Sequence, residues 1–141
     1  MNIRPARPDD AERVAALLTE LDYPTEPEAA RQRIGTLSAR DDSCILLAVD
    51  ETDRAFGLAG GQVIAAVHTD EPVGMIMALV VAGDHRRGGA GRALIAAMEE
   101  FLRQRGCGYV MVTSANRRAD AHAFYESLNY ERTGQRFARH L

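Results

Sequence analysis

The chain has 141 residues, of which 46% are hydrophobic and 26% charged, and its formal net charge is −3. A chain of this length and composition can bury a core without disulfides or metal, and we expect a single domain over residues 1–141. The negative net charge argues against a nucleic-acid partner, because nucleic-acid-binding domains are usually basic. The sequence has no signal peptide and no apolar run long enough to span a bilayer, so we expect no membrane partner and a cytoplasmic location.

Hydrophobic periodicity and turn residues predict strands and helices along the whole chain. Residues 2–6 form the first predicted strand, and Asp9 with Glu12 matches a capping box at the start of a helix that ends at Tyr23. The later elements are a helix over 27–39, strands over 44–49, 57–68 (interrupted by Gly60-Gly61) and 73–81, a helix over 92–105 and a strand over 109–113. Early antiparallel strands followed by one βαβ crossover indicate an α/β fold with a mixed sheet and helices on both faces.

The segment between the strand at 73–81 and the helix at 92–105 reads Arg86-Arg87-Gly88-Gly89-Ala90-Gly91. Glycines let a backbone come close to a ligand, and the free N–H groups and dipole of a helix N-terminus favour an anion. Arg86, Arg87 and Arg92 point to phosphate as that anion. We therefore predict a phosphate-binding site in residues 86–92, which we call the glycine loop.

Two common phosphate-binding motifs do not fit the glycine loop. The loop lacks the Lys-Ser/Thr pair of a P-loop, and its glycine order differs from the G-x-G-x-x-G dinucleotide fingerprint. The pattern Arg86-x-x-Gly89-x-Gly91 instead resembles the coenzyme A diphosphate loop of the GNAT superfamily of N-acetyltransferases.

The resemblance extends over nearly the whole chain. Ile3-Arg4-Pro5-Ala6 followed by Asp9-Asp10 is similar to the family's first strand and helix, and residues 121–130 are similar to its helix carrying Phe-Tyr, sharp turn and final strand. The resemblance implies a GNAT-like acyl-CoA N-acyltransferase fold, in which mostly antiparallel N-terminal strands precede a βαβ crossover with splayed central parallel strands. Asn129 stands where many relatives have glycine, and we expect it to form a left-handed C-cap.

The same resemblance implies which residues hold acetyl-CoA. The backbone of Leu79, Val80 and Val81 would pair with the pantetheine arm, and an N–H near Val80 or Val81 would polarise the acetyl carbonyl. Asn116 would hydrogen-bond the pantetheine amide. The implied diphosphate-binding residues are Arg86, Arg87, Gly88, Gly89, Ala90, Gly91 and Arg92. Structural alternatives stay open, since residues 79–81 also fit a core strand and an asparagine in a loop is often a turn former.

The resemblance also gives Tyr125 the role of general acid. A phenol with an unperturbed pKa of about 10 can return a proton to a departing alkyl thiolate, whose pKa is similar. The alternative is that Phe124 and Tyr125 only anchor a helix to the sheet, as aromatic side chains often do.

A general base is harder to assign. Many relatives carry a glutamate at or near the positions of Met77 and Ala78, where this chain has none. The remaining candidates, each of which also fits a solvated loop residue, are His68, Asp70, Glu71, Asp84 and His85. A water chain, or a substrate that arrives as the free amine, would make a dedicated base unnecessary. The spacing of His68, Asp70 and Glu71 is not that of metal ligands, so we predict no metal.

These residues and this resemblance predict an acetyl-CoA-dependent N-acetyltransferase that acetylates the primary amine of a small molecule by direct attack on the thioester. Residues 121–125 and 136–139 look most like the small-molecule-acetylating branches. We expect the first two helices and the loops near 50–60 and 66–72 to select the substrate. The alternatives are a non-catalytic acyl-CoA-binding regulatory domain, a protein or peptide N-acetyltransferase, and a module that binds another nucleotide. Homodimers are frequent in the family and compatible with this sequence.

Overall fold

A computed structural model of the chain describes residues 1–113 and 119–141, apart from the side chain of Ala119. The elements are β1 (Asn2–Pro5), α1 (Ala11–Glu20), α2 (Pro27–Ser38), β2 (Ser43–Val49), β3 (Ala55–Ile64), β4 (Val73–Val81), α3 (Ala90–Gln104), β5 (Tyr109–Val112) and α4 (Ala119–Ser127). Short 3-10 turns span Pro8–Asp10 and Gly83–His85. None of the helices in the described part of the chain has the length and apolar character needed to cross a membrane.

The five strands form one mixed sheet in the order β1-β2-β3-β4-β5. Neighbouring strands are antiparallel except β4 and β5, which are parallel and joined through α3. Leu46 to Val49 of β2 are all buried, and because successive side chains in a strand face opposite sides, both faces of the sheet are covered. Helices α1, α2 and α3 contact the sheet, and Phe124 and Tyr125 of α4 pack against the core. This architecture confirms the predicted fold class.

Two strand glycines allow α3 to lie close to the sheet. A β-carbon at residue 61 would lie 2.5 Å from Met98 Sδ, and one at residue 74 would lie 2.6 Å from Leu102 Cδ1. The strand β3 therefore continues through Gly60-Gly61, and the predicted interruption there is wrong. A sequence reading takes a glycine pair for a break, whereas here the side chain of Met98 fills the missing volume.

A β-bulge bends β4 at Met77. In the ladder with β3, Gly61 pairs with Ile76 and Gly60 with Ala78, so that Met77 is the extra residue on β4. On the other side, β4 pairs with β5 over Val73–Ile76, and Thr113 N then donates to Ile76 O at 3.3 Å. Beyond that bond, no described residue of the β5 side pairs with residues 77–81 of β4, as expected for splayed parallel strands.

Several expectations at element ends differ from the structure. The strand predicted over 57–68 spans Ala55–Ile64. The Asp9–Glu12 capping box is wrong, because Asp10 Oδ2 instead accepts a hydrogen bond from Arg7 N at 2.7 Å. The helix expected from residue 92 begins at Ala90. The final strand is also wrong, since the described residues 128–141 contain none. Only a few apolar side chains follow residue 130, and two of them, Phe137 and Leu141, are exposed, so this segment has no apolar face to bury.

Candidate active site

The glycine loop presents a row of backbone N–H groups at the start of α3. Arg87 and Gly89 both have left-handed backbone conformations, with φ values of 69° and 87°. The first N–H group of the helix with a backbone acceptor is that of Ala93, which donates to Gly89 O at 3.0 Å. The N–H groups of Ala90, Gly91 and Arg92 precede it and have no acceptor among the described residues, as is usual at a helix N-terminus. N–H groups left without an acceptor at a helix N-terminus favour an anion as partner.

The glycines of the loop have different roles. A β-carbon at Gly89 would meet nothing within 4 Å, and one at Gly88 would only touch His85 O at 3.5 Å. Space beside these two residues is therefore open to a ligand. A β-carbon at Gly91, in contrast, would lie 3.2 Å from Phe124 Cζ and 3.9 Å from Val81 Cγ2. Residue 91 is therefore a glycine for a packing reason, because the Phe124 ring of α4 fills the space that a side chain would need.

The three loop arginines also differ. Arg86 Nε donates to Val81 O at 3.2 Å, and its Nη2 lies 3.6 Å from Glu20 Oε1, so Arg86 holds the loop to β4 and α1. The side chains of Arg87 and Arg92 have no hydrogen-bond or ion-pair partner within residues 1–113 and 119–141. Two cations are thus available beside the unpaired N–H groups, which is the charge arrangement that a diphosphate requires.

The predicted pantetheine strand is the end of β4 that has no β5 partner among the described residues. Val80 is buried, whereas Leu79 and Val81 are half-buried and pack against the core. The side chains of residues 79–81 therefore pack in the core. Their backbone groups on the β5 side have no partner among the described residues and are available to a ligand. Asn116, predicted to bind the pantetheine amide, lies outside the described residues.

Tyr125 lies in an aromatic group on α4 and the turn that follows it. Its ring makes edge contacts with Phe124 and Tyr130, at centroid distances of 5.4 and 6.0 Å. Tyr130 OH donates to Glu99 Oε2 at 2.9 Å, and Tyr130 N donates to Tyr125 O at 3.0 Å. Burial, followed by the Glu99 carboxylate, raises the pKa of Tyr130, so its hydroxyl stays protonated. Asn129, at φ 67°, forms the left-handed turn before Tyr130 as predicted.

A cavity of about 750 Å³ borders Tyr125. It follows β5 and is bordered by α4 and the segment after it. The lining side chains include Met75, Glu99, Met111, His122, Tyr125 and Tyr130. Apolar and aromatic side chains share this wall with polar and charged ones such as Glu99, His122 and Arg136, and the volume lies in the range of sites for small organic molecules.

The candidate general bases lie at two other places. His68, Asp70 and Glu71 precede β4 and so lie at the opposite end of that strand from the glycine loop. The Glu71 carboxylate occupies the space that a side chain at residue 108, a glycine, would fill. Asp84 and His85 lie in the 3-10 turn before the loop, where His85 Nδ1 is 3.0 Å from Asp84 Oδ1. That hydrogen bond lowers the pKa of Asp84, so this carboxyl is a weaker base than usual. Within the described residues, no three His, Cys, Asp or Glu side chains form a metal site.

Sequence reasoning missed two residues that fix the loop. Glu20 Oε1 accepts a hydrogen bond from Gly83 N at 2.9 Å. The ring of His85 stacks on that of Phe56 at 4.3 Å, and Phe56 O accepts from Ala82 N at 2.8 Å. The sequence does contain one signal for Glu20. An acidic residue at a helix C-terminus interacts unfavourably with the helix dipole, which indicates a role outside the helix.

The mixed sheet and the row of backbone N–H groups at the start of α3 define an α/β protein with a candidate anion site at that helix N-terminus. The family model described as "Acetyltransferase (GNAT) family" matches residues 11–130. The chain belongs to this family. This match confirms the predicted family, and it supports coenzyme A as the cofactor.

Solved structures share the fold over nearly the whole chain. An aminoglycoside 6'-N-acetyltransferase from Acinetobacter haemolyticus is 24% identical, with a TM-score of 0.84 and coverage of 100% of this chain and 99% of that one. A transcriptional regulator from Bacillus halodurans is 19% identical, with a TM-score of 0.90 and 99% coverage of both chains. An aminoglycoside N-acetyltransferase in complex with CoA is 18% identical, with a TM-score of 0.87, covering 99% of this chain and 93% of that one.

Among curated proteins, the chain is similar to N-acetyltransferase 8 from Homo sapiens. The two are 28% identical over 95 residues, which are 67% of this chain and 41% of the human protein. N-acetyltransferase 8B from Homo sapiens matches over the same lengths at the same identity. The chain spans about two fifths of the length of the curated relatives it matches.

Proposed function

We propose that the chain is an acetyl-CoA-dependent N-acetyltransferase that acetylates a primary amine of a small molecule. The observation that carries this proposal is the set of N–H groups at the start of α3 and the side chains of Arg87 and Arg92, none of which has a partner among the described residues. In the proposal, the N–H groups of residues 87–92 and these two guanidinium groups bind the diphosphate of the cofactor. Arg86 holds the loop in place from behind.

The pantetheine arm then pairs with the backbone of residues 79–81 on the splayed side of β4, with Asn116 on its amide. An N–H of Val80 or Val81 stabilises the negative charge that develops on the acyl oxygen. Bound acetyl-CoA supplies an activated acyl thioester. The amine nitrogen forms its bond to the acyl carbon, the carbon–sulfur bond breaks, and Tyr125 OH donates its proton to the departing thiolate.

The amine must reach the thioester unprotonated. The bulge residue of β4, Met77, has no carboxylate, so the proposal assigns no protein base there. Water or bulk buffer takes the proton that the amine loses, and water reprotonates Tyr125. We therefore expect the turnover rate to rise with pH until the free acceptor amine is unprotonated.

A small-molecule acceptor is favoured by two features. The cavity beside Tyr125 has a size suited to a small organic molecule, about 750 Å³. Two full-length structural neighbours are aminoglycoside N-acetyltransferases by name. Acetylation of a protein or peptide is the second candidate, and its support is the similarity to the two human N-acetyltransferases. The single domain, the cytoplasmic location and the homodimer remain predictions.

Release of free thiol from acetyl-CoA across a panel of amines tests this function. The panel contains small primary amines, including aminoglycosides, and peptides with a free N-terminus or a lysine. We expect amine-dependent thiol release with at least one small molecule. Release with peptides alone would favour the second candidate, and tight CoA binding without release for any amine would favour a non-catalytic regulatory domain.

A further inference from the structure

The last residue of α1 is attached to the turn that precedes the glycine loop. Glu20 Oε1 accepts a hydrogen bond from Gly83 N at 2.9 Å, and the same oxygen lies 3.6 Å from Arg86 Nη2. These contacts join residues that are more than 60 positions apart in sequence. One carboxylate thus contacts both the first residue of the 3-10 turn and the first residue of the glycine loop.

This carboxylate is at an unfavourable place for helix stability. The C-terminus of a helix carries partial negative charge, and the last turn of α1 contains no basic residue to offset it. Glu20 is therefore not explained by the stability of α1 itself. Its contacts across the gap to Gly83 and Arg86 explain it.

The contacts of Glu20 separate the part of the glycine loop that is held by the protein from the part that is available to a ligand. Arg86 is held between Glu20 and Val81 O, and Arg87, the next residue, starts the row of available donors. Residues 86–89 are exposed. Small errors in the position of binding groups lower affinity strongly, because several hydrogen bonds must form together.

We propose that Glu20 is a positioning residue for acetyl-CoA: it fixes the Gly83 turn and Arg86 so that the glycine loop is preformed for the diphosphate. This inference rests on the proposed use of residues 86–92 by the cofactor. It extends the cofactor site to α1, a helix that has no residue in the glycine loop.

The test is a calorimetric titration of the full chain with CoA, combined with steady-state kinetics. Glu20→Ala should weaken CoA binding by about 3- to 10-fold, the range expected for the loss of one or two hydrogen bonds. The acetyl-CoA KM should rise by the same factor with kcat nearly unchanged. Glu20→Gln keeps an oxygen acceptor for Gly83 N and should lie between wild type and Glu20→Ala. Glu12→Gln, on the same helix, is the control and should match wild type.

A second variant removes the donor instead of the acceptor. Ala82 has φ −54° and ψ 141°, which is compatible with a following proline, and the first position of a turn tolerates it. Gly83→Pro removes only the Gly83 contact and leaves the one between Glu20 and Arg86, so it should weaken CoA binding by no more than Glu20→Ala does; the double variant should be no weaker than Glu20→Ala alone. This variant also tests the proposal if Glu20→Ala fails to fold.

Two further results separate this inference from the proposed function. Wild-type CoA affinity in Glu20→Ala and Gly83→Pro, with loss of binding in Arg87→Ala, would overturn the role of Glu20 and leave the proposed function standing. Unchanged affinity in all three variants would overturn both.

Discussion

Phe124 and Gly91 meet where α3 begins: the ring carbon Cζ of Phe124 lies 3.2 Å from the place that a β-carbon of residue 91 would occupy. The glycine therefore has a packing role that is separate from any role in ligand binding. Gly89, two residues earlier, has open space where its side chain would be, and a φ of 87°. The two glycines of one motif are fixed by different physical demands.

Replacement of Gly91 should lower stability. In Gly91→Ala the added methyl group must displace the Phe124 ring, and overpacking of this kind costs about 1–3 kcal/mol. Thermal unfolding should show a lower Tm, and Phe124→Leu in the same chain should restore part of it. Gly35→Ala is the matched control, since a β-carbon at that helical position meets nothing within 4 Å. Because alanine also favours a helix over glycine, the comparison is with the control: an equal change in Tm in Gly91→Ala and Gly35→Ala would contradict the packing role.

Arg87 should contribute to cofactor binding through charge. Its guanidinium has no partner among the described residues, so Arg87→Gln removes a cation without breaking an internal contact. We expect CoA affinity to fall by about 5- to 20-fold at low salt, and the difference from wild type to shrink at high salt. Titrations at two ionic strengths measure this effect. Arg103→Gln, on the exposed face of α3, should behave as wild type, and equal losses in the two variants would refute a specific role for Arg87.

Tyr125 should affect turnover and not cofactor affinity. Tyr125→Phe keeps the ring contacts with Phe124 and Tyr130 but removes the hydroxyl proton. A fall in kcat of about 100-fold or more, with an unchanged acetyl-CoA KM, is the expected result of removing a general acid. Tyr23→Phe, at an exposed tyrosine, is the control. If kcat is the same in Tyr125→Phe as in wild type, the proton comes from another group.

Stability at acid pH should depend on Asp10. Arg4 is only 8% exposed, and two of its nitrogens donate to the Asp10 carboxylate, each at 2.9 Å. The hydrogen bonds from Arg4 lower the pKa of Asp10 below its unfolded value, although burial acts in the opposite direction. The pair's full contribution is therefore present above the unfolded pKa of about 3.9, and it is lost as pH falls through the lower folded pKa.

Asp10→Asn tests this linkage. At pH 7 it should lower the free energy of unfolding by about 2 kcal/mol, since a buried charge-assisted pair is broken while Arg4 keeps its bond to Asp53. Below pH 4 the gap between variant and wild type should close. Denaturant titrations at a series of pH values measure both quantities. The control Asp42→Asn removes an exposed ion pair and should change stability little at any pH. If the difference in unfolding free energy between Asp10→Asn and wild type stays constant with pH, titration of Asp10 is not the cause of the acid dependence.

The sequence predicted the order and type of nearly all elements because apolar periodicity is strong in the core strands and in α3. The fully buried Leu94, Met98 and Leu102 follow the helical spacing, and the position of the glycine loop between β4 and α3 follows from them. The glycines of the loop were informative in the sequence because a positive φ or a close ligand backbone contact leaves few other residue types, and Gly89 has that positive φ.

Features that depend on contacts distant in sequence were not predictable. The bulge at Met77 arises from the pairing register of β3 and β4, which no local pattern encodes. The position of Arg86 depends on Glu20, and the small size of Gly91 depends on Phe124. The expected final strand followed from resemblance to a family and not from alternation in residues 130–141, which have no apolar period.

A titration with CoA of wild type and Gly89→Val tests most directly whether the glycine loop holds the cofactor, with ATP and NAD as parallel ligands. Valine is strained at a φ of 87°, and its side chain would enter the open space beside the N–H groups. We predict that wild type binds CoA far more tightly than ATP or NAD, and that Gly89→Val loses CoA binding while a thermal unfolding transition is retained. Equal CoA affinity in the two proteins would contradict the account.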